Sequence, residues 1–358
     1  MKVRTAISNL SFHYPFTISK GSKTSQPSLL VALEGPRGVI GYGEAPAISY
    51  YNVSVEAMLA DLAHSRAFVE KFAFTDPERY WHYLHHLIPG NPFLVCALDM
   101  AGWDLYGRSR GRSLSSMWGL DPGHSPVSDY TIGLDSIENM VSKLVDNPWP
   151  VYKIKLGVAA PGARNGPGIT ALDDLDIVRA LRGHTSAPLR VDANAAWTVS
   201  EALAKIPVLA DLGVELVEQP LAVDDWAGMK QLFSASPIPL FADESCVRES
   251  DVDRCAGHFH GVNIKLTKCG GITPARRMIT RARELGLWVM GGSMNETSIG
   301  TSALAALGPL FDYADMDGPL LLNGDVATGL TYVEGRAMPS GEPGLGVRPA
   351  VGIFPDHD

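Results

Sequence analysis

Leu189-Arg190-Val191-Asp192-Ala193-Asn194, Val214-Glu215-Leu216-Val217-Glu218-Gln219-Pro220, Ile238-Pro239-Leu240-Phe241-Ala242-Asp243-Glu244-Ser245 and Val262-Asn263-Ile264-Lys265 are short apolar runs within one stretch, and each carries a charged residue at its end. The steps from Asp192 to Glu218, Glu218 to Asp243 and Asp243 to Lys265 are all roughly 25 residues, the length of a strand, a helix and two short loops. Apolar, non-alternating strands at that spacing predict a parallel sheet covered by helices. Closed into a (β/α)8 barrel, such strands bring their C-terminal ends to one rim, where barrel enzymes keep their chemistry. Three carboxylates on adjacent strand ends would repel one another and draw protons, so a divalent cation is expected among Asp192, Glu218 and Asp243. All-oxygen ligation favours Mg²⁺ first and Mn²⁺ second.

The strand Val151-Tyr152-Lys153-Ile154-Lys155 faces this rim with two amines, because a period of two puts Lys153 and Lys155 on the same, inward face. Buried ammonium groups need anions opposite them, and the three acids supply these. Lys265, ending the sixth strand, stands across the barrel from Lys155 at the end of the second. Two bases on either side of one bound ligand can take a proton from one face of a carbon and return one to the other. Burial, the cation and Lys153 are all expected to lower the amine pKa from its usual value of about 10.4. The seventh strand, Trp288 to Met290, leads into Gly291-Gly292-Ser293-Met294-Asn295-Glu296, and the eighth, Asp312 to Ala314, into Asp315-Met316-Asp317-Gly318. Asp315 and Asp317 share a face if the strand continues, and they exceed what the metal and lysines neutralise, so a substrate ammonium is expected to meet them.

The N-terminal region does not follow the barrel rhythm. Val3 to Tyr14, Ser28 to Glu34 and Gly38 to Glu44 read as an antiparallel meander, with Gly35-Pro36-Arg37-Gly38 as its last turn. Helices are predicted from Ser54 to Phe72, from Thr75 to Leu87 with Thr75 and Glu78 as a capping box, and from Asn91 to Gly107. Phe16 to Ser28, rich in Gly, Ser, Thr and Lys, and Ala45 to Asn52 read as mobile functional loops. His82, His85 and His86 have metal-ligand spacing but no carboxylate or cysteine companion, and read as a surface or interdomain helix. Gly119 to Ser125 is a linker, and the first barrel strand spans Ser128 to Gly133. The expected units are a cap over 1–122, a barrel over 123–325 and a C-terminal segment over 326–358 that returns to the cap.

A length of 358 residues, 46% hydrophobic and 19% charged, suffices for a large core and a smaller companion domain. The net charge of −9 argues against nucleic-acid and membrane-surface partners. No apolar run reaches the roughly 18 residues of a membrane span, and no signal-type apolar segment follows Met1-Lys2-Val3-Arg4-Thr5. Cys96, Cys246, Cys255 and Cys269 lack paired spacing, so free thiols and a cytoplasmic setting are expected.

Across its whole length the chain resembles the muconate-lactonizing subgroup of the enolase superfamily. The resemblance rests on Gly41-Tyr42-Gly43-Glu44-Ala45, Ala97-Leu98-Asp99-Met100-Ala101-Gly102-Trp103-Asp104-Leu105, Lys153-Ile154-Lys155, Val191-Asp192-Ala193-Asn194, Val217-Glu218-Gln219-Pro220, Ala242-Asp243-Glu244-Ser245 and Lys265-Leu266-Thr267-Lys268-Cys269-Gly270-Gly271. It implies a capping α+β domain over a (β/α)7β barrel, Mg²⁺ on Asp192, Glu218 and Asp243, and Lys155 with Lys265 as the acid/base pair. Lysine bases beside magnesium are general chemistry of that superfamily. Asp315-Met316-Asp317-Gly318 resembles the eighth-strand motif of its dipeptide epimerases, in which two aspartates hold the substrate α-ammonium. Ser293 to Gly300 resembles their seventh-strand loop, although Ser293 stands where a cysteine is often found. The implied function is epimerisation at the C-terminal residue of a dipeptide, with Lys153 and the metal stabilising an enediolate. Further expected substrate contacts are Thr131, Ser293, Met294, Glu296 and Lys23, supported by Asn194, Glu244 and Lys268 around the ligands. Lys20 and Lys23 could meet an acidic substrate side chain. Rival readings are o-succinylbenzoate synthesis, N-acylamino acid racemisation, muconate cycloisomerisation, and a catalytically inactive metal-dependent binding barrel. A homo-oligomer is expected.

Overall fold

A computed structural model describes residues 1–157 and 172–354; residues 158–171, inside the expected barrel unit, and 355–358, at the end of the expected C-terminal segment, lie outside the described residues. The chain opens with an antiparallel sheet of β1 Lys2–Ile18, β2 Gly21–Glu34 and β3 Ile40–Pro46, side by side in that order. Phe16 to Ser28, expected to be a loop, is instead the tip of the β1–β2 hairpin. After a register shift between Ser11 and Phe16, Phe16 pairs with Lys23, Thr17 with Ser22 and Ile18 with Gly21. Gly21, at φ 144°, supplies the backbone conformation of the turn. Nothing in the composition of this polar ribbon distinguishes it from a loop, since its order comes from backbone pairing and from what lies beneath it. Of the second expected loop, Ala45 and Pro46 complete β3, and Ser49–Tyr51 is a single 3-10 turn.

Three helices cover one face of the sheet: α1 Val55–Lys71, α2 Pro77–Leu87 and α3 Pro92–Ser109. Ser54 and Asn91 cap the first and third through Ala57 N and Leu94 N. The expected Thr75 cap on α2 is one residue out. Asp76 accepts from Arg79 N at 2.9 Å and Pro77 takes the first helical position, a pairing of cap and proline that outcompetes the threonine. Leu29, Val31 and Leu33 on one face of β2 pack with Leu98, Ala101 and Leu105 of α3 in the core of this cap. Helix α3 also lies directly on β3, which explains the glycines of Gly41-Tyr42-Gly43: a Cβ on Gly43 would sit 1.9 Å from Ala97 O. His82, His85 and His86 are exposed on α2, with the His85 ring stacked on Trp81.

Eight parallel strands follow: β4 Tyr130–Ile132, β5 Tyr152–Lys155, β6 Leu189–Asp192, β7 Val214–Glu218, β8 Leu240–Ala242, β9 Gly261–Ile264, β10 Trp288–Gly292 and β11 Tyr313–Asp315. They neighbour one another in chain order, and a parallel bridge from Ser128 to Ala314 joins the last strand to the residues before the first. A helix joins each consecutive pair, from Ile137–Asp146 after β4 to Ser298–Ala305 after β10, giving the (β/α)7β barrel. Strand β11 ends at Asp315. Asp317, expected on the same strand face, lies instead past the strand end, at the start of a short helical turn, Gly318–Leu321, without a side-chain bond to that turn.

Alternation along the strands puts a second row of inward side chains two residues before the rim row. Under Glu218, Asp243 and Asp315 this row is apolar, with Leu216, Phe241, Met290 and Tyr313 packed together. Under Thr131, Lys155 and Asp192 it is ionic: Asp129, Lys153 and Arg190, all buried. The lower row is therefore mostly apolar on one side and charged on the other.

The tail adds β12 Ala327–Thr328 with β15 Arg348–Pro349, and the hairpin β13 Leu330–Val333 with β14 Arg336–Pro339. Leu345 N then donates to Asp104 of α3 at 2.7 Å, and Arg108 of α3 donates to Val347 O. All four cysteines are buried free thiols. Among the described residues no helix is long and apolar enough to cross a membrane.

Candidate active site at the barrel mouth

A cavity of about 680 Å³ lies between the cap and the C-terminal strand ends. Its barrel side holds Thr131, Lys155, Asn194, Lys265 and Asp315, joined by Ser293, Met294 and Asn295 of the loop after β10. Its cap side is the β1–β2 hairpin tip, including Lys20 and Lys23, and the turn around Ile48 and Tyr50.

The three strand-end acids come together as their spacing predicts. Asp192, Glu218 and Asp243 are buried, and each offers an oxygen within 4.8 Å of the others. Lys155 Nζ donates to Asp192 Oδ2 at 2.6 Å, and Lys265 Nζ to Asp243 Oδ2 at 2.8 Å. Each candidate base therefore leans on a candidate metal ligand. The acids are aimed by neighbours: Asn194 donates to both Asp192 oxygens, Asn263 Nδ2 to Glu218 Oε1 at 2.9 Å, and Lys268 Nζ to Asp243 Oδ1 at 2.5 Å and to three backbone carbonyls. Asn194 and Gln219, just beyond β6 and β7, have φ of 44° and 35°, strained for non-glycine residues. The Gln219 side chain ties that bend to Asp243 N and Ser245 N, both at 3.0 Å.

Burial works against ionisation of every acid in this group, and the amines decide the outcome. Lys155 and Lys153 hold Asp192 below the usual range, and Lys265 with Lys268 holds Asp243 well below it. Burial pushes Glu218 up to about 7, with Lys153 opposing and the Asp192 charge adding to the rise. Lys265 departs from expectation: burial and Lys153 lower it, but Asp243 and Glu218 outweigh them and hold it well above the usual lysine value. The donor set fits a hard divalent ion. It is all-oxygen and buried, its oxygens gather within 4.8 Å of one another, and neutralising these carboxylates removes what keeps Lys265 protonated.

Lys153 does not line the cavity. At 1% exposure it lies beneath the acids, 2.7 Å from both Glu218 Oε2 and Asp315 Oδ2. Asp315 borders the cavity, and Asp317 is buried behind it with Oδ2 accepting from Thr131 N at 2.6 Å. Burial and the Asp315 charge push Asp317 up to about 7. Lys23, expected as a substrate contact from a mobile loop, lines the cavity from β2, with its amine 5.2 Å from the ring centres of Phe12 and Phe16 and donating to Gln26. Burial lowers it to about 7 against the pull of Glu296. Ser293 and Met294 face the cavity, whereas Glu296 folds back to accept from Met294 N at 2.6 Å. Glu244 pairs with Lys20 at the mouth.

Besides Asn263 and Gln219, three more participants are absent from the sequence-based set. Gln26 donates to Met294 O at 2.6 Å and clamps the β10 loop to the hairpin; Tyr50 reaches Met294 Sδ at 3.4 Å; Asp129 joins Asp315 and Asp317 in a second group of clustered carboxylates. Asp129 carries a readable signal, since it stands two residues before the rim residue Thr131 on the same strand face. Gln26 and Tyr50 lie inside the two segments read as functional loops, but nothing in the sequence assigns either side chain a contact.

Two family models match the chain: Mandelate racemase / muconate lactonizing enzyme, N-terminal domain, over residues 1–119, and Enolase C-terminal domain-like over residues 137–351. The L-Ala-D/L-amino acid epimerase of Flavobacterium johnsoniae is 45% identical over 339 residues, covering 95% of this chain and 97% of that one. A substrate-liganded L-Ala-D/L-Glu epimerase from Bacillus subtilis superposes with a TM-score of 0.88 at 29% identity, covering 97% of this chain and 99% of the other. A dipeptide epimerase from Enterococcus faecalis, complexed with Mg and L-Leu-L-Tyr, superposes with a TM-score of 0.84 at 28% identity over 97% and 98% of the two chains.

Proposed function

The chain belongs to the mandelate racemase/muconate lactonizing enzyme family of the enolase superfamily, and on that premise we propose that it is a dipeptide epimerase that inverts the α-carbon of the C-terminal residue. The observation that carries this reading is that Lys155 and Lys265 border one cavity from opposite strands of the barrel, each hydrogen-bonded to an acid of the same buried group. Asp192, Glu218 and Asp243 would hold Mg²⁺, or Mn²⁺ in its place. When bound, that ion supplies charge neutralisation, both of the three acids and of the carboxylate next to the carbon that loses its proton.

With the C-terminal carboxylate of the dipeptide directed at the acid group, its α-carbon lies between the two amines. One amine removes the α-proton and the other protonates the resulting enediolate from the opposite face, so either epimer can enter. Lys153 contributes a fixed positive charge under the floor, preorganised by its ion pairs with Glu218 and Asp315. The N-terminal ammonium points to Asp315 at the cavity edge, with the Asp317 charge behind it. Asn194 and Lys268 keep Asp192 and Asp243 in place, whereas Glu244, expected to support the ligands, pairs with Lys20 instead. The β1–β2 hairpin and the β10 loop close over the side chains and exclude water from the reacting centre.

Proton NMR in D₂O with Mg²⁺ and a small L,L-dipeptide library tests the proposal. Loss of the α-proton signal of the second residue, with the L,D diastereomer accumulating, is expected. Exchange confined to N-acylamino acids would replace this reading with N-acylamino acid racemisation. The Lys153–Asp315 pair favours that alternative, since it gives Asp315 a cation without any substrate ammonium.

A further inference from the structure

The second acid group contains more charge than ammonium recognition by two aspartates requires. Asp129, Asp315 and Asp317 are all buried and their oxygens lie within 4.8 Å of one another. Two cations face them. Lys153 Nζ is 2.7 Å from Asp315 Oδ2, and Arg190 Nη1 is 3.0 Å from Asp129 Oδ2. Both cations are shared, Lys153 with Glu218 and Arg190 with Glu215, and Asp317 has no cation of its own among the described residues; Asp317 Oδ1 and Asp129 Oδ1 are buried without a hydrogen-bond partner there.

Arg190 adjoins this group through Asp129. Its Nη1 also donates to Ala314 O at 3.0 Å, one peptide unit from Asp315, while its Nε is held by Glu215 Oε2 at 3.2 Å. Asp129 has an oxygen within 4.8 Å of one on Asp315 and one on Asp317, so a guanidinium released from Asp129 has those two carboxylates as its neighbouring anions, and a charge-assisted contact with either competes directly with an ammonium.

We propose that Asp129 is a positioning residue for ammonium recognition: it sequesters the Arg190 guanidinium below the rim and so leaves Asp317 available to the substrate. The inference rests on the dipeptide reading above. It gives Asp129 an effect on the substrate through Arg190, without contact, and ties discrimination between a free amino terminus and an acylated one to a residue of the lower row.

The test is the steady-state kinetics of dipeptide epimerisation in three variants. Asp129→Asn is expected to raise KM for a free L,L-dipeptide by ~10-fold with kcat within ~3-fold of the parent, the pattern of lost ground-state binding. Adding Arg190→Gln to Asp129→Asn is expected to bring KM back to within ~3-fold of the parent, a rescue that a purely structural defect would not give. An unchanged KM in Asp129→Asn, or a raised KM that persists in the double variant, overturns the proposal. Should Asp129→Asn not accumulate folded, Arg190→Gln alone decides: KM at or below the parent value supports sequestration, and a rise above ~5-fold means that Arg190 itself serves binding and overturns it. A parent that exchanges no dipeptide fails the dipeptide reading and this inference together. A parent active on dipeptides with unresponsive variants fails this inference alone.

Discussion

Two sets of buried carboxylates run through this molecule, and they differ in what faces them. At the barrel rim, Asp192, Glu218 and Asp243 meet lysine amines, and two of those amines also border a cavity. In the cap, Asp99 of α3 accepts from Thr273 N at 3.0 Å and Thr273 Oγ1 at 2.7 Å, at the start of the barrel helix Ile272–Glu284. Glu44 of β3 accepts from Thr297 N, Thr297 Oγ1 and Gly300 N at the start of the barrel helix Ser298–Ala305. Both cap acids satisfy helix N-terminal donors across the domain junction, where helix dipole and orphan N–H groups favour an anion. Burial alone does not separate the two sets. A carboxylate facing fixed N–H dipoles joins two units, whereas one facing flexible ammonium groups beside a cavity can exchange its partner for an ion or a substrate.

The comparison predicts opposite responses to perturbation, and the largest is to metal removal. Dialysis against EDTA is expected to abolish α-proton exchange and added Mg²⁺ to restore it, while circular dichroism of the chelated protein keeps its helical signal, because Glu44 and Asp99 hold the cap to the barrel without an ion. Full activity after exhaustive chelation would erase the distinction. Next is Lys265→Ala, expected to lower the exchange rate by at least ~10³-fold while leaving the fold intact, since loss of a proton-transferring group typically costs 10²–10⁴. A protein that still inverted the second residue at the parental rate would remove the two-base mechanism.

A smaller effect comes from the cap. Burial raises Asp99 to about 7 against hydrogen bonds from Thr273. Its folded pKa thus lies above the unfolded value of about 3.9, so the native state binds the extra proton between these values and stability falls as pH rises through that window. Asp99→Asn removes the titration. The stability difference, parent minus variant, is expected to decline between about pH 4 and pH 7 in urea-denaturation midpoints, with epimerase kcat unchanged at each pH. A difference independent of pH would mean that the Thr273 donors keep Asp99 ionised throughout.

What the sequence exposes follows the same division. Asp192, Glu218, Asp243, Lys155 and Lys265 are legible because barrel strands announce their C-terminal ends by an apolar run followed by a charge. Asp129 escapes that rule because it precedes the apolar residues of its strand. The β1–β2 hairpin tip escapes because the backbone pairing of Ser22 with Thr17 and Lys23 with Phe16 leaves no mark in polar side chains. The change of role between Asp315, at the end of β11, and Asp317, past it, depends on where pairing with β10 stops, at Gly292 opposite Asp315, and no residue of the motif marks that point.

The smallest predicted effect lies where the two sets nearly meet. Glu244 adjoins Asp243, yet its partner is Lys20 from the cap hairpin, and that amine is 28% exposed and 5.0 Å above the Tyr50 ring. By position the pair belongs to the active rim, and the Glu244 side chain is only 8% exposed, but its partner comes from the cap and reaches it from the solvent side, so solvent screens part of the attraction and ordering a long lysine cancels much of the rest. Lys20→Ala is therefore expected to change stability by less than ~1 kcal/mol and KM for dipeptides by less than ~3-fold, with the residual effect fading in 0.5 M salt. A KM rise beyond tenfold that survives high salt would show that Lys20 and Glu244 act as a latch closing the hairpin over the substrate, and would move this pair from the docking set into the reacting one.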